Sequence, residues 1–181
     1  MGAGDSSFHI VSGGSPDQRA DAGSLTARSG ASRKIVLLDI ENMLFGAHNT
    51  ERFRDRSREI LALAEARRPT DMVIVGCNPA LAFTARSVFP HSQIVTGRGK
   101  DGADEALIDM IDLEHAASRF NELVIVSGDH VFAPVAHAAR QLGLSVRVVA
   151  PRHGLSTALR VYADTTVLLS QDVLDDEAHA A

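Results

Sequence analysis

The stretch that decides the fold is LVIVSGDHVFAPVAHAARQLGLSVRVV, residues 123–149. It opens on the apolar run Leu123 to Val126, rich in Val and Ile and without polar alternation, which suits a strand buried on both faces. The run breaks at Ser127-Gly128-Asp129. From Val131 to Leu142 apolar residues recur at helical spacing, Gly143 follows as a stop, and Val146 to Val149 is again a short apolar run. Strand, helix and strand in so short a span make a unit in which two parallel strands share one sheet and the helix covers a face. The functional question is why an acid, Asp129, stands at the end of such a strand.

The same grammar extends in both directions. Strand-like runs at Ile35 to Leu38, Met72 to Val75, Ile94-Val95 and Val167 to Leu169 alternate with helix-like segments at Phe53 to Ala66, Ala80 to Val88, Ala103 to Ala117 and Thr157 to Tyr162. The loops between them are short and several carry Gly or Pro. The pattern predicts an α/β fold: a single Rossmann-like domain with a parallel sheet of about five to six strands, flanked by helices on both faces.

The 181 residues suffice for one domain with a substantial core, and 45% hydrophobic with 23% charged is ordinary globular usage. Residues 1–33 hold six Gly and seven Ser with one apolar patch, Phe8 to Val11, and are expected to form a flexible tail. Residues 34–170 form the domain, and 171–181 an acidic C-terminal tail with four carboxylates between Asp172 and Glu177. The net charge of −5 is concentrated in that tail, so the domain itself is close to neutral. A single cysteine, Cys77, excludes an internal disulfide and zinc-finger spacing, and reads as a small buried hydrophobe in a reducing, cytoplasmic setting. No signal peptide and no apolar stretch near the ~20 residues of a membrane span is present, so no membrane association is expected.

In an open parallel sheet, sites form at the carboxyl ends of strands where strand order reverses. Asp39 ends the first strand, Asp129 follows the fourth, and Asp104 begins the helix that starts near Ala103. Asp104, Ile108 and Ile111 fall at i, i+4 and i+7, so Asp104 tops an apolar stripe facing the sheet. Glu105, Asp109 and Asp112 occupy another, solvated face, which makes Asp109 a surface or outer residue. Three carboxylates converging on one edge raise one another's pKa unless a cation neutralises them. A hard divalent ion, Mg2+ or Mn2+, does so, and the implied chemistry is metal-assisted attack of water on a phosphodiester. The bland alternatives are explicit: Asp129 is a favoured N-cap residue for the helix near Val131, and Asp104 suits a helix first turn. Asp39 resists its own alternative, since no helix obviously starts within two residues of it.

With these residues in hand, the sequence resembles the NYN domain family of the PIN-like nuclease superfamily, in particular its LabA-like branch. The resemblance runs through IVLLDIENML (35–44), GRGKDGADEALIDMI (97–111), the 123–149 stretch and ALRVYADTTVLL (158–169), in family order and spacing. It implies a single-domain, metal-dependent ribonuclease. Asp39, Asp104 and Asp129 match the family's metal-binding acids, Asn42 the amide after the first acid, Ser127 the serine of the strand-four turn, and Asp109 a less direct acid. Lys100 matches a basic position that contacts substrate backbone. His130 is no part of that match: with an unperturbed pKa of ~6.5 it is a candidate general acid at the scissile phosphate, against the plainer reading of a partly exposed loop residue. The departure is Val131, where many LabA-like members carry a further acid; a valine ligates nothing, and Glu105 is the residue that compensates if the helix is rotated.

The leading expectation is therefore a metal-dependent ribonuclease acting on RNA, and a homo-oligomer is compatible with it. The alternative is a catalytically reduced domain that binds RNA or a protein partner as a regulatory module, with Val131 in its favour. A phosphatase with a first-strand Asp nucleophile needs Asp-x-Asp, and Glu41-Asn42 does not supply it. His48, His91, His115, His137 and His153 lack metal-ligand spacing and are expected at the surface. The Arg residues of RFRDRSR (52–58) are expected on solvated helix faces. Seven Phe, one Tyr and no Trp argue against a stacking platform of the kind single-strand binders use, so substrate is expected to be held through its backbone and by the metal.

Overall fold

The segment Lys34–Asp39 is buried along its whole length, which fixes it as a central strand with apolar neighbours on both faces. The computed structural model describes residues 10–11, 32–43, 50–66 and 68–169, with the side chains among them other than those of residues 10, 11, 42 and 50–52. The strands, in chain order, are Ile10–Val11 (β1), Lys34–Asp39 (β2), Met72–Cys77 (β3), Gln93–Thr96 (β4), Glu122–Val126 (β5), Ser145–Pro151 (β6) and Thr165–Leu169 (β7). They form one sheet of order β1-β7-β6-β5-β2-β3-β4. β2 to β7 pair in parallel. β1, drawn from the Phe8 to Val11 patch, joins antiparallel at the edge, Ile10 opposite Val167.

The helices are Ile40–Met43 (α1), Thr50–Leu63 (α2), Ala82–Val88 (α3), Gly102–Met110 (α4), Leu113–Arg119 (α5), Ala133–Gln141 (α6) and Thr157–Tyr162 (α7), with 3-10 turns at Pro79–Leu81 and His130–Phe132. Side chains of the central strands alternate between two cores, as the strand period of two requires. Leu37, Ile125 and Val148 pack with Leu107, Ala136 and Leu159 on one face. Val36, Leu38, Val124 and Val126 pack with Phe53, Ile60 and Ala85 on the other. The chain winds outward from β2 through β3 to β4, then returns to the other side of β2 and winds outward through β5, β6 and β7. Strand order thus reverses between β2 and β5, and the carboxyl ends of those two strands form the crevice where this fold class places its sites.

Two local features carry the helix that follows β4 onto that crevice. A Cβ on Gly76 would lie 2.6 Å from the Leu107 side chain and 2.9 Å from the Ala103 carbonyl oxygen, so only glycine lets α4 lie so close to the end of β3. Gly97 and Gly102 likewise touch backbone to backbone, a Cβ on Gly102 falling 2.7 Å from the Gly97 carbonyl carbon.

Three expectations need correction. The single helix over Ala103 to Ala117 is two helices, because Ile111 is extended (φ −89°, ψ 116°) and the Asp112 carboxylate accepts the His115 N–H and starts α5 afresh. A helix does begin directly after Asp39, and the Asp39 carboxylate accepts the Glu41 N–H at 3.0 Å. Arg56 is not solvated: it is 7% exposed, neither terminal guanidinium nitrogen has a hydrogen-bond partner among the described residues, and burial lowers its pKa.

Candidate active site

The site is built on the reversal point. Asp39, the last residue of β2, is 3% exposed. Its Oδ1 accepts the Glu41 N–H, and its Oδ2 accepts the Ser127 hydroxyl at 3.1 Å. Ser127, fully buried just past the end of β5, also accepts the Asp129 N–H on the same Oγ at 3.2 Å. One hydroxyl therefore couples the ends of the two strands between which the sheet order reverses.

Asp104, in the first turn of α4, is brought to the same place from the helix layer. It is 8% exposed, and its carboxyl group hydrogen-bonds to that of Asp39. Its Oδ1 is buried and has no hydrogen-bond partner among the described residues. Burial, followed by the charge of Asp39 and the hydrogen bond to it, then the charges of Asp129 and Asp101, pushes the Asp104 pKa up to about 7. Two carboxyl groups in contact away from water cannot both ionise cheaply, so the pair holds a proton between them near neutral pH. An unpartnered oxygen on a carboxylate pair that retains a proton is a donor set that suits a hard cation, which replaces the proton and satisfies the orphan oxygen.

Asp129 stands differently. Its Oδ1 accepts the Val131 N–H at 3.1 Å and lies 2.7 Å from His130 Nδ1. The capping role is therefore real, while its charge still acts on Asp104. Among the described residues no group of three or more His, Cys, Asp or Glu side chains is arranged to hold a metal ion. The acids come together as a tight pair, Asp39 with Asp104, and a third, Asp129, turned to its own turn. Val131 packs against the larger core cluster and offers nothing to the edge.

The remaining predicted residues lie outward. Glu105 and Asp109 are exposed on α4, Lys100 is exposed in the loop after β4, and the His130 side chain is 81% exposed. The Asn42 side chain lies outside the described residues, as does His48; His91, His115, His137 and His153 are exposed. Sequence reasoning missed Glu41. Its Oε1 accepts the Asn78 N–H at 2.6 Å, so it ties the end of β2 to the end of β3. The signal was present in the adjacency of Glu41 to Asp39 and in Asn78 closing the second strand. Burial, then the Glu41 carboxylate, pushes the Cys77 thiol up to about 11, so it is an inert core residue.

The doubly wound α/β domain, with buried carboxyl groups at its reversal point, is consistent with a PIN-like fold. The chain belongs to the NYN domain family, whose model, described as the NYN domain, matches residues 33–170. It is also similar to a crystal structure of a protein of unknown function from Vibrio parahaemolyticus, with a TM-score of 0.55 at 16% identity, covering 78% of this chain and 94% of that one; at that identity the likeness concerns the fold. No curated protein matches. No helix among the described residues is long and apolar enough to cross a membrane.

Proposed function

We infer that this protein is a metal-dependent ribonuclease of the LabA-like branch, cytoplasmic, hydrolysing RNA phosphodiester bonds at the carboxyl edge of its sheet. The observation that carries this reading is the buried Asp39–Asp104 pair with the unpartnered Asp104 oxygen, at the reversal point of an NYN domain. Asp39 and Asp104 would hold Mg2+ or Mn2+, with Asp129 joining by leaving its cap. Such an ion, when bound, orients the attacking water and stabilises charge developing on the phosphate. The chain's own residues prepare that chemistry. Ser127 and the Glu41 N–H fix the Asp39 carboxylate in one orientation, as outer partners do for metal-binding carboxylates. Burial excludes water from the pair, which strengthens its field at the substrate. Lys100, exposed on the rim, contacts the RNA backbone, and His130, held by Asp129, faces the same edge.

The alternative, a domain that binds RNA or a protein partner without cutting, draws on two observations: Asp129 is engaged as a cap, and Val131 packs partly buried against the core. One experiment separates the readings. Purified protein is incubated with mixed structured and single-stranded RNA in Mn2+, in Mg2+ and in chelator, beside Asp39→Asn and Asp104→Asn. Metal-dependent cutting, lost in both variants, supports the ribonuclease. RNA binding without turnover in any metal overturns it in favour of the binding module.

A further inference from the structure

Among the described residues, four phenylalanines, Phe53, Phe89, Phe120 and Phe132, are at most 6% exposed, whereas Phe83 is 86% exposed. Its place in the fold is specific. β3 runs parallel to β2, so its carboxyl end at Cys77 lies at the site edge, and α3, the crossover to β4, starts there. Phe83 follows within six residues of that strand end, about 10 Å of helical rise. The turn that carries it is tied to Asp39 by hydrogen bonds: Glu41 N–H to Asp39 Oδ1, Asn78 N–H to Glu41 Oε1, and Ala80 N–H to Asn78 Oδ1. A fixed path thus joins the buried acid to an aromatic ring in water.

The ring's surroundings select its partner. Among the described residues its helical neighbours Arg86 and Ser87 are exposed and polar, and the apolar residues nearest in sequence, Ala80, Leu81 and Ala82, are small or half-buried, so the ring is the one large apolar group that this turn gives to water. A single exposed ring beside a nuclease edge matches one flat, apolar ligand face. We propose that Phe83 is a base-stacking subsite that takes one unpaired base of the RNA, making single-stranded RNA the preferred substrate. The proposal rests on the ribonuclease reading, and supplies the preference that the polar edge lacks: a duplex hides its base faces, so only an unpaired base reaches the ring. Base–aromatic stacking is worth about 1–3 kcal/mol per base, which sets the expected effect near tenfold in affinity.

The test uses the full chain in chelator, so that nothing is cut, with a fluorescein-labelled single-stranded oligoribonucleotide and the same strand annealed into a duplex. Phe83→Ala should bind the single strand about tenfold more weakly and the duplex unchanged, and Phe83→Trp should restore binding. A 2-aminopurine base in the single strand should be quenched by the native protein and by Phe83→Trp but not by Phe83→Ala. Equal single-strand affinity for native protein and Phe83→Ala, without quenching, overturns the subsite; metal-dependent cutting, measured separately, decides the ribonuclease reading. A change in oligomeric state with Phe83→Ala, at unaltered RNA affinity, overturns the subsite too and assigns the ring to a contact between copies.

Discussion

The hydroxyl of Ser127 donates to Asp39 Oδ2 across 3.1 Å, joining residues 88 positions apart in the chain at the point where the sheet reverses its winding. Ser127 is fully buried and also receives the Asp129 N–H, so it orients one carboxylate while anchoring the turn of another. Ser127→Ala should leave the fold intact, lower cleavage by roughly 10–100-fold, as loss of an outer partner of a metal ligand does, and cost about 1–3 kcal/mol for the two hydrogen bonds its hydroxyl makes. Single-turnover cleavage and urea midpoints measure the two effects. Full activity in this variant would show that Asp39 needs no orientation.

The Asp39–Asp104 pair makes a pH prediction whose sign is fixed. The folded-state pKa of Asp104 is raised from 3.8 to about 7. Between those values the native protein binds more protons than the unfolded chain, so in chelator this group's contribution to stability falls as pH rises from about 4 through about 7. Asp104→Asn removes the buried charge. It should match the native protein near pH 4 and exceed it by about 1–3 kcal/mol at pH 8, while abolishing cleavage. Mg2+ or Mn2+ should stabilise the native protein, by about 2.7 kcal/mol at a hundredfold excess over Kd, and leave the variant unchanged. Denaturant titrations at several pH values, with and without metal, decide it; a native protein no less stable at pH 8 than at pH 5 in chelator would refute the shared proton.

Gly76 is predicted to be a site residue without touching substrate. Its missing side chain lets α4 seat Asp104 against Asp39, since a Cβ would meet the Leu107 side chain and the Ala103 backbone. Gly76→Val should therefore destabilise by about 1–3 kcal/mol through overpacking and reduce cleavage further than the stability loss explains at temperatures where the variant is folded. Gly154→Ala is the control, because a Cβ there finds its nearest neighbours at 3.7 Å. Equal activity in the two variants would separate the glycine from the site.

The parallel sheet, its two apolar layers and the three acids at one edge were legible because each rests on a short-range pattern: uninterrupted apolar runs such as Leu123 to Val126, helical spacing after them, and an Asp at a strand end. The pairing of the acids was not. Whether Asp129 points at the cluster or caps its own turn depends on a side-chain rotation that spacing does not encode. The break at Ile111-Asp112 was hidden because Ile111 continued the apolar stripe, while the capping bond of Asp112 to His115 competed with it locally. Arg56 read as solvated because helix phase alone does not reveal how closely neighbouring elements crowd a face. Glu41 escaped notice since its partner, the Asn78 N–H, is a backbone group 37 residues away, just past the end of β3.

Position 131 offers the sharpest reversal experiment. Val131 packs partly buried against the core, beside the turn whose N–H groups bind Asp129, where the LabA-like pattern has an acid. Introducing Val131→Asp trades apolar contact for a charge at the site edge and should cost about 1–2 kcal/mol in chelator. In Mn2+ the same variant should bind the ion more tightly, because a further hard oxygen ligand joins Asp39, Asp104 and Asp129, and cleave RNA faster than the native chain. Calorimetric metal titration and cleavage rates at saturating Mn2+ read the two consequences independently. Tighter metal binding with faster cutting means the native site works with a reduced ligand set. Unchanged metal affinity in a folded variant means that the side chain at 131 does not reach the edge, and the valine then has no bearing on activity.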